Sequence, residues 1–287
     1  MISFIILHYK NIKDTIECIE SIRKLKTKKS VSIIVVDNHT LSKEELKIIK
    51  EYTEDVILLK ENIGFAKANN KGCEYAVKKY HPDFLVVINN DTILSQDNFI
   101  DQIYTIYKET SFDMLGPCIH CKEGSGSVNP YNPLKNKEEV KQEKSYQQKL
   151  IKYYQNPLLY YLLTLAIKIK GVFKHREPMR NGRERKTNVA LHGCAIIFSQ
   201  KYYEKFADVF YPNTFLYHEE SFLYLRVKEN NLISVYDPSI EIIHKEGASL
   251  SKEMNNNERK KLLFRTKEII KSLTILEKEM EHTHEKM

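Results

Sequence analysis

An oxygen-rich cluster, Asn-Asn-Asp-Thr at residues 89–92, directly follows a run of five apolar residues at 84–88. An unbroken apolar run of this length is typical of a strand buried on both faces of a parallel sheet. Ligands of open α/β sheets bind just beyond the carboxyl ends of the strands, so Asp91 is a candidate ligand for magnesium or manganese. The same residue types favour turns, and this stretch alone leaves a metal site and an ordinary turn equally open.

The elements that would position Asp91 follow a regular alternation over the first 110 residues. Apolar runs at 2–7, 31–36, 56–59 and 84–88 predict strands, and the segments between them have helical spacing. Four such units predict a parallel sheet with right-handed crossovers. Ser42 and Glu45 form a capping-box pattern that predicts the start of the second helix, and Ser95 is expected to cap the fourth.

A second aspartate, Asp37, follows the second strand as Asp91 follows the fourth. We expect both carboxylates to face one crevice, an arrangement that suits a nucleotide. Neither of the two common glycine-rich phosphate loops is present in the sequence. Metal and side chains must therefore bind the phosphates.

The composition limits the classes of molecule that the protein is expected to bind. The 287 residues carry a net charge of +7, which favours anionic partners, but no basic–aromatic motif of nucleic-acid readers is present. The N-terminus lacks a basic leader and a cleavage site, and no apolar run reaches the length of a membrane span. A cytoplasmic protein that does not bind nucleic acid is expected.

Residues 121–187 interrupt the alternation. A polar segment at 135–149 and an apolar, tyrosine-containing segment at 157–170 both predict helices, and basic residues are frequent from 174 to 186. An apolar helix beside a cationic stretch suits a helix lying on an anionic membrane. The alternative is a helix packed on the domain, followed by a solvated basic loop.

Six motifs in order resemble those of the family 2 glycosyltransferases of the GT-A fold, nearest to the bacterial rhamnosyltransferase-like group. They lie at residues 35–38, 62–72, 89–92, 192–195, 215–220 and 244–249. The resemblance implies an α/β fold with a Rossmann-like, mostly parallel sheet flanked by helices. It implies a catalytic domain at 1–250, made of a nucleotide-binding half (1–120), a helical and basic insertion (121–187) and an acceptor-side half (188–250). An amphipathic C-terminal helix follows at 251–287.

The resemblance also implies the roles of individual residues. Asp91 and His244 would hold a divalent cation, Mn or Mg, although Asn89 replaces the first acid of the family's Asp-x-Asp motif. A buried, hydrogen-bonded histidine is the alternative for His244. The pocket for the donor sugar and acceptor would include His192, Gly193 and His218. The nucleotide would be bound by His8, Tyr9, Asp37, Asn62, Gly64, Lys67, Asn70, Asn89 and Asn90.

Inverting transfer requires a carboxylate that accepts the proton of the acceptor hydroxyl. Glu220 aligns with the family's catalytic aspartate, and Glu219 is the alternative base. Phe222 stands where the family has a further acidic residue. Two acidic residues at a helix start would also be favourable to the helix dipole without any catalytic role.

The function implied is an inverting, metal-dependent hexosyl- or deoxyhexosyltransferase. It would move a sugar from a UDP- or dTDP-sugar to a hydroxyl of a saccharide or polyprenyl-linked acceptor in cell-surface polysaccharide synthesis, at the inner face of the plasma membrane. The substitutions at Asn89 and Phe222 leave a second interpretation, a catalytically degenerate scaffold that binds nucleotide sugars. A nucleotidyltransferase is a third, but residues 7–11 lack the glycine of its phosphate loop.

Overall fold

The computed structural model describes residues 1–121, 127–169, 182–245 and 257–284. Within these ranges, nine strands form one sheet flanked by helices. The strands are β1 (Ile2–His8), β2 (Val31–Asp37), β3 (Val56–Leu58), β4 (Phe84–Asn89), β5 (Thr92–Ile93), β6 (Met114–Cys121), β7 (Lys186–Thr187), β8 (Ala195–Ser199) and β9 (Ser234–His244). The helices are α1 (Ile12–Arg23), α2 (Lys43–Tyr52), α3 (Phe65–Tyr80), α4 (Phe99–Thr110), α5 (Lys137–Gln155), α6 (Pro157–Ile169), α7 (Gln200–Lys205), α8 (Glu219–Glu229) and α9 (Glu258–His284).

The first four strands form the predicted parallel part of the sheet, in the order β3-β2-β1-β4. Leu7 in β1 lies opposite Asn89 in β4, and His8 lies opposite Asp37 in β2. The polar residues that end these strands therefore lie side by side at one edge of the sheet.

The sheet continues from β4 through β8, β6 and β9 to β5. β6 and β9 are parallel, whereas β8 runs antiparallel to both β4 and β6, and β5 and β7 run antiparallel to β9. Because β8 enters beside the end of β4, the backbone N–H of Asn89 donates to the carbonyl of Cys194 at 2.9 Å. The antiparallel strands thus bring residues 192–194 to the same edge as the Asn-Asn-Asp cluster.

Both faces of the sheet are covered, which explains why the strands are apolar without alternation. Along β1, Ile2, Phe4 and Ile6 belong to the core that packs beneath α1 and α4, while Ile5 and Leu7 belong to the core beneath α3 and α8. All seven residues of β1 are buried. The central strands are therefore held from both sides, and their polar ends have fixed positions.

Of the two helix caps predicted from the sequence, one is present in the structure and the other is not. The predicted capping box is confirmed, since Ser42 accepts from the backbone of Glu45 and the Glu45 side chain accepts from the backbone of Ser42. The prediction of Ser95 as a cap is wrong, because α4 begins after Asn98. Residues just after Ser95 contact β9 instead, where Gln96 bonds the backbone of Ser239 and of Glu241.

Two long helices, α5 and α9, pack on each other and on α8. Ion pairs join Lys144 to Glu277 at 2.8 Å and Lys137 to Glu281, and an apolar cluster with Phe222 of α8 includes Val140, Ile269, Leu273, Leu276 and Met280. The shorter α6 follows α5, and most of its apolar side chains between residues 157 and 165 are exposed. Among the described helices, none has both the length and the apolar character to cross a membrane.

Candidate active site

Asp91 and His244 meet at the edge of the sheet where β4 ends. Asp91 occupies the turn between β4 and β5, and β5 pairs with β9 so that Thr92 lies opposite His244. The His244 Nε2 and Asp91 Oδ1 atoms are 3.1 Å apart, and only 9% and 8% of these residues are exposed. The backbone of Lys245 also donates to the Asp91 carbonyl at 3.0 Å. The register of β9 therefore places the histidine against the carboxylate.

This pair provides one carboxylate and one imidazole as donors for a cation. The Nδ1 atom of His244 is buried and has no hydrogen-bond partner among the described residues. The described ranges contain no group of three or more His, Cys, Asp and Glu residues that could hold a metal by themselves. Mg²⁺ and similar ions are commonly bound by one or two protein ligands plus substrate phosphates, so the residues present fit a cation shared with a bound diphosphate.

A cavity of about 280 Å³ adjoins Asp91. One part of its lining is rich in amide side chains and the other is apolar or aromatic. The lining residues are Leu7, Tyr9, Asn38, Asn62, Gly64, Phe65, Asn89, Asn90, Asp91, Phe215, Leu216 and Phe264. Amide groups that fix orientation within a largely apolar cleft are typical of small-molecule sites.

The loop before α3 shapes one wall of this cavity. The Asn38 side chain donates to Asn62 Oδ1 at 2.9 Å and to the Gly64 carbonyl at 3.2 Å, and it accepts from the backbone of Ile63 at 3.0 Å. Gly64 has a φ of +85°, and a Cβ at this position would collide with the backbone of Phe215. Glycine is therefore required here both by the left-handed backbone and by the close approach of residue 215.

The two acidic residues at 219 and 220 begin α8 after an unusual turn. Tyr217 and His218 both have positive φ, 73° and 68°, which turns the chain sharply into the helix. The Glu220 Oε1 atom accepts a hydrogen bond from the backbone of Gly193 at 3.0 Å. A Cβ on Gly193 would come within 3.0 Å of that oxygen, so the absence of a side chain lets the carboxylate approach β8.

The environments of Glu219 and Glu220 are different. Glu219 is buried, and its Oε1 has no hydrogen-bond partner among the described residues. Burial, with a smaller contribution from the charge of Glu220, raises the pKa of Glu219 to about 8. Glu220 is half-buried and has the hydrogen bond to Gly193. At neutral pH, Glu219 is therefore mainly protonated.

His192 lies between the Asp91–His244 pair and the two glutamates of α8. Its backbone donates to Asn129 Oδ1 at 2.7 Å, and its ring centroid is 6.1 Å from that of His244. His218 is half-buried, and partial desolvation lowers its pKa below the ordinary value for histidine. The sequence-predicted residues Asp91, His244, His192, Gly193 and Glu220 thus form one continuous row.

Two predicted nucleotide residues lie behind the cavity wall. His8 is buried and its Nδ1 lies 2.7 Å from Thr15 Oγ1, while burial lowers its pKa. Asp37 accepts three hydrogen bonds through Oδ1, from the backbone of Thr40 and Leu41 and from the Thr40 hydroxyl. Neither lines the 280 Å³ cavity, whereas the neighbouring Tyr9 and Asn38 do.

The structure does not bring Lys67 and Asn70 to Asp91. Both line a second cavity, of about 600 Å³, on the other side of α3. The Asn70 side chain bonds Asp208 at 3.1 Å and the backbone of Phe210 at 2.8 Å, so it joins α3 to the segment after α7. α3 turns these side chains away from Gly64.

Six residues of the cavity wall were not among the residues predicted from sequence: Leu7, Asn38, Phe65, Phe215, Leu216 and Phe264. Asn38 falls within the motif at 35–38, in which only Asp37 is assigned a role, although an amide after a strand end is a recognisable signal. Phe215 and Leu216 lie within a matched motif but are apolar. Phe264 belongs to α9, where it is one of many apolar residues, and only tertiary packing shows that it reaches the cavity.

Comparison with known proteins identifies the class of this chain. The family described as "Glycosyl transferase family 2" matches residues 3–226, and the chain belongs to this family. No curated protein matches the chain. The motif at 244–249 lies entirely beyond the match, and its residues 246–249 lie outside the described ranges.

Solved structures show the same fold, the GT-A fold of glycosyltransferases. S. aureus TarS 1-349 has a TM-score of 0.53 at 12% identity, covering 91% of this chain and 69% of its own. GalNAc-T7, crystallised with UDP, GalNAc and Mn²⁺, has a TM-score of 0.56 at 12% identity and covers 86% of this chain. The match spans 44% of GalNAc-T7 and 36% of a longer TarS structure, so this chain corresponds to less than half of those proteins. The predicted fold class and family are confirmed.

Proposed function

We propose that the protein transfers a hexosyl or deoxyhexosyl unit, with inversion, from a UDP- or dTDP-sugar to a hydroxyl group. The acceptor would be a saccharide or polyprenyl-linked saccharide used in cell-surface polysaccharide synthesis, as the rhamnosyltransferase-like motifs suggest. The observation that carries the proposal is the placement of the Glu220 carboxylate against Gly193, in one row with the Asp91–His244 pair. Residues 1–250 would be the catalytic domain.

The 280 Å³ cavity would bind the nucleoside diphosphate. Tyr9 offers an aromatic face to the base, and the amides of Asn38 and Asn62 are already fixed by hydrogen bonds to each other. Asn89 and Asn90 lie next to Asp91, where the diphosphate would end. A fixed set of amides loses little side-chain entropy on binding, which favours affinity for a correctly shaped nucleotide.

Asp91 and His244 would hold a divalent cation, Mn or Mg. Such a cation neutralises negative charge on a leaving diphosphate. The protein's own contribution is to keep Asp91 in position, through the hydrogen bond from the backbone of Lys245 and the pairing of β5 with β9. His244, held by the same strand, limits the directions in which the carboxylate can turn.

Glu220 would accept the proton of the acceptor hydroxyl as that oxygen attacks the anomeric carbon. The acceptor oxygen forms the new bond to carbon while the bond to the diphosphate breaks, which gives inversion in one displacement. The N–H of Gly193 donates to Glu220 Oε1, which leaves Oε2 to accept the proton. Glu219 is the poorer candidate, because burial keeps it protonated at neutral pH.

The protein would act at an anionic membrane surface, at the inner face of the plasma membrane. α6 exposes Leu158, Tyr161 and Leu162 by 65%, 62% and 50%, an unusually apolar surface for a helix in water. The basic stretch that follows in the sequence includes residues 174–181, which lie outside the described ranges. Apolar side chains beside cationic residues favour binding at the interface of anionic lipids.

Two measurements test the proposal. Incubation with a panel of UDP- and dTDP-sugars should release nucleoside diphosphate with at least one donor, and NMR of the glycoside should show the anomeric configuration opposite to the donor's. Retention of configuration would exclude the single displacement. Binding of nucleotide sugars without any turnover would favour the scaffold interpretation.

The membrane assignment has its own test. Vesicles with phosphatidylglycerol should retain the protein at low salt, and serine replacements at Leu158, Tyr161 and Leu162 should reduce retention. Equal recovery on neutral and anionic vesicles would refute an electrostatic membrane contact.

A further inference from the structure

The buried face of α9 continues, at its N-terminal end, to a positively charged residue, Arg265. Ile269, Leu273, Leu276 and Met280 are buried against α5 and α8, and Arg265 precedes Ile269 by one turn. Residues at i, i+4, i+8, i+11 and i+15 share one helix face, so Arg265 continues the same stripe. Helical geometry therefore directs Arg265 to the body of the protein, although it is exposed.

The surroundings of Arg265 are the acceptor side of the site. Its guanidinium lies over the ring of Tyr217 at 5.7 Å from the centroid, and Tyr217 precedes His218 and the two acidic residues of α8. The charge of Arg265 contributes to lowering the pKa of His218, after the larger effect of burial. The neighbouring residue Phe264 lines the 280 Å³ cavity. Arg265 is thus next to the cavity and to the turn that presents Glu220.

This cavity has a deficit of positive charge. Apart from a tyrosine, Asp91 is the only residue with an acidic or basic side chain among the described residues that line the cavity, and this side chain is an acid. Two other cations lie near its residues: Lys245 is paired with Asp14 and Glu17, and Lys10 lies over the ring of Tyr9. Arg265, in contrast, forms no ion pair with any described residue. A guanidinium matches phosphate oxygens with two parallel hydrogen bonds, so it is suited to an anion entering here.

We propose that Arg265 is a substrate-binding residue that contacts a phosphate group at the mouth of the cavity. The inference rests on the proposed function, since it assigns a phosphate to the same site. The phosphate has two sources with the same chemistry: the diphosphate of the donor, or the phosphate of a polyprenyl-linked acceptor. α9 holds the residue in place, because Ser272 donates to the Leu216 carbonyl at 2.9 Å on the same stripe. This helix lies beyond the family match at 3–226.

Binding measurements on the full chain test this assignment. Titration calorimetry with UDP, dTDP and UMP in the presence of Mn²⁺ addresses the donor, and titration with farnesyl phosphate addresses the acceptor. Arg265→Gln should weaken binding of one class about 10-fold, the loss expected for one charge-assisted hydrogen-bonded contact. Arg265→Lys should recover part of the loss, because a lysine keeps the charge but not the planar fork.

Lys267→Gln is the matched control. It removes the same charge from the same helix, and Lys267 is exposed at 200° from Arg265 around the axis, given 100° per residue. The control should change each dissociation constant by less than about twofold, as expected for a screened surface charge. A loss confined to UDP and dTDP would assign the donor diphosphate, and a loss confined to farnesyl phosphate would assign the acceptor.

Two negative results have different meanings. If the unaltered chain binds UDP or dTDP but Arg265→Gln binds every probe as tightly as Lys267→Gln does, Arg265 has no phosphate contact and the inference is overturned. If the unaltered chain binds none of the nucleotides and no farnesyl phosphate, the proposed function fails and the inference fails with it. Circular dichroism of each variant establishes that the comparison is between folded proteins.

Discussion

The two sides of the site are built in different ways. Asp91 and His244 are placed by strand register, since Asp91 lies in the turn between β4 and β5, and β5 pairs with β9, which ends at His244. Glu219 and Glu220 are placed by a turn with two left-handed residues and by the first turn of a helix. On the sheet side, neighbouring strands supply one functional group each. On the helix side, two adjacent glutamates have different environments.

On the helix side, the chemistry of a residue therefore depends less on its type, and more on its surroundings, than it does on the sheet side. Glu219 and Glu220 have equal intrinsic pKa values, but only Glu219 is removed from solvent. Glu220 keeps partial exposure and a backbone donor. Substitutions can distinguish the two carboxylates from each other, and both sides of the site from the rest of the molecule.

The largest effect is expected at Glu220. Glu220→Gln retains size and the hydrogen bond from Gly193 but cannot accept a proton, so the transfer rate should fall by on the order of 10²–10⁴-fold. Binding of nucleoside diphosphate should persist. Initial rates and calorimetry on the same preparation measure both. If Glu219→Gln were inactive and Glu220→Gln active, the base would be Glu219.

Asp91→Asn should have the next largest effect. Loss of the charge weakens binding of a cation and of the diphosphate it neutralises, and we expect a rate decrease on the order of 10²–10³-fold. The asparagine is similar in shape, so the melting temperature should change little. Normal turnover by a folded variant would remove Asp91 from the metal site.

Glu219→Gln should alter stability more than activity. The folded state binds a proton at Glu219 up to a pH of about 8, whereas the unfolded chain releases it near the ordinary value for glutamate. The unaltered protein therefore loses stability as pH rises between those two values. The glutamine variant does not titrate, so its stability relative to the unaltered protein should increase as pH rises through this window.

Thermal unfolding at pH 5, 6.5 and 8 measures this effect. The difference in melting temperature between Glu219→Gln and the unaltered protein should widen with pH. A difference that is constant across the series would show that Glu219 does not titrate with a raised pKa. Activity at pH 7 should stay within about threefold, because the carboxyl is already neutral there.

The smallest effect is expected at Lys67, a residue that the sequence places with the nucleotide. It lines the cavity behind α3, away from Asp91, so Lys67→Gln should change the dissociation constant for nucleoside diphosphate by less than about twofold. Calorimetry against the unaltered protein checks this. A tenfold loss would return Lys67 to the nucleotide site.

Much of the fold could be predicted from sequence because its signals are local. The four apolar runs correspond to β1–β4, the capping box starts α2, and the segment after 257 forms α9. The insertion of β8 antiparallel to β4 could not be predicted, because strand order depends on contacts between residues about 100 positions apart.

Within the site, residues at strand ends were easier to predict than wall residues. Asp91 follows β4 and His244 ends β9, so their positions at one edge of the sheet follow from local strand signals. Lys67 and Asn70 were placed by their motif, but helical rotation turns them to another cavity. Phe264 has no local signal, since its position depends on how α9 packs against α5 and α8.

The pairing of α5 with α9 has a consequence for protein engineering. Their matching charges, Lys144 with Glu277 and Lys137 with Glu281, couple segments more than 130 residues apart in sequence. A chimera that takes only the C-terminal helix from a relative would separate these partners and would leave Phe222 of α8 with a mismatched apolar neighbour. The two helices should therefore be exchanged together, as one recombination module around an unchanged sheet.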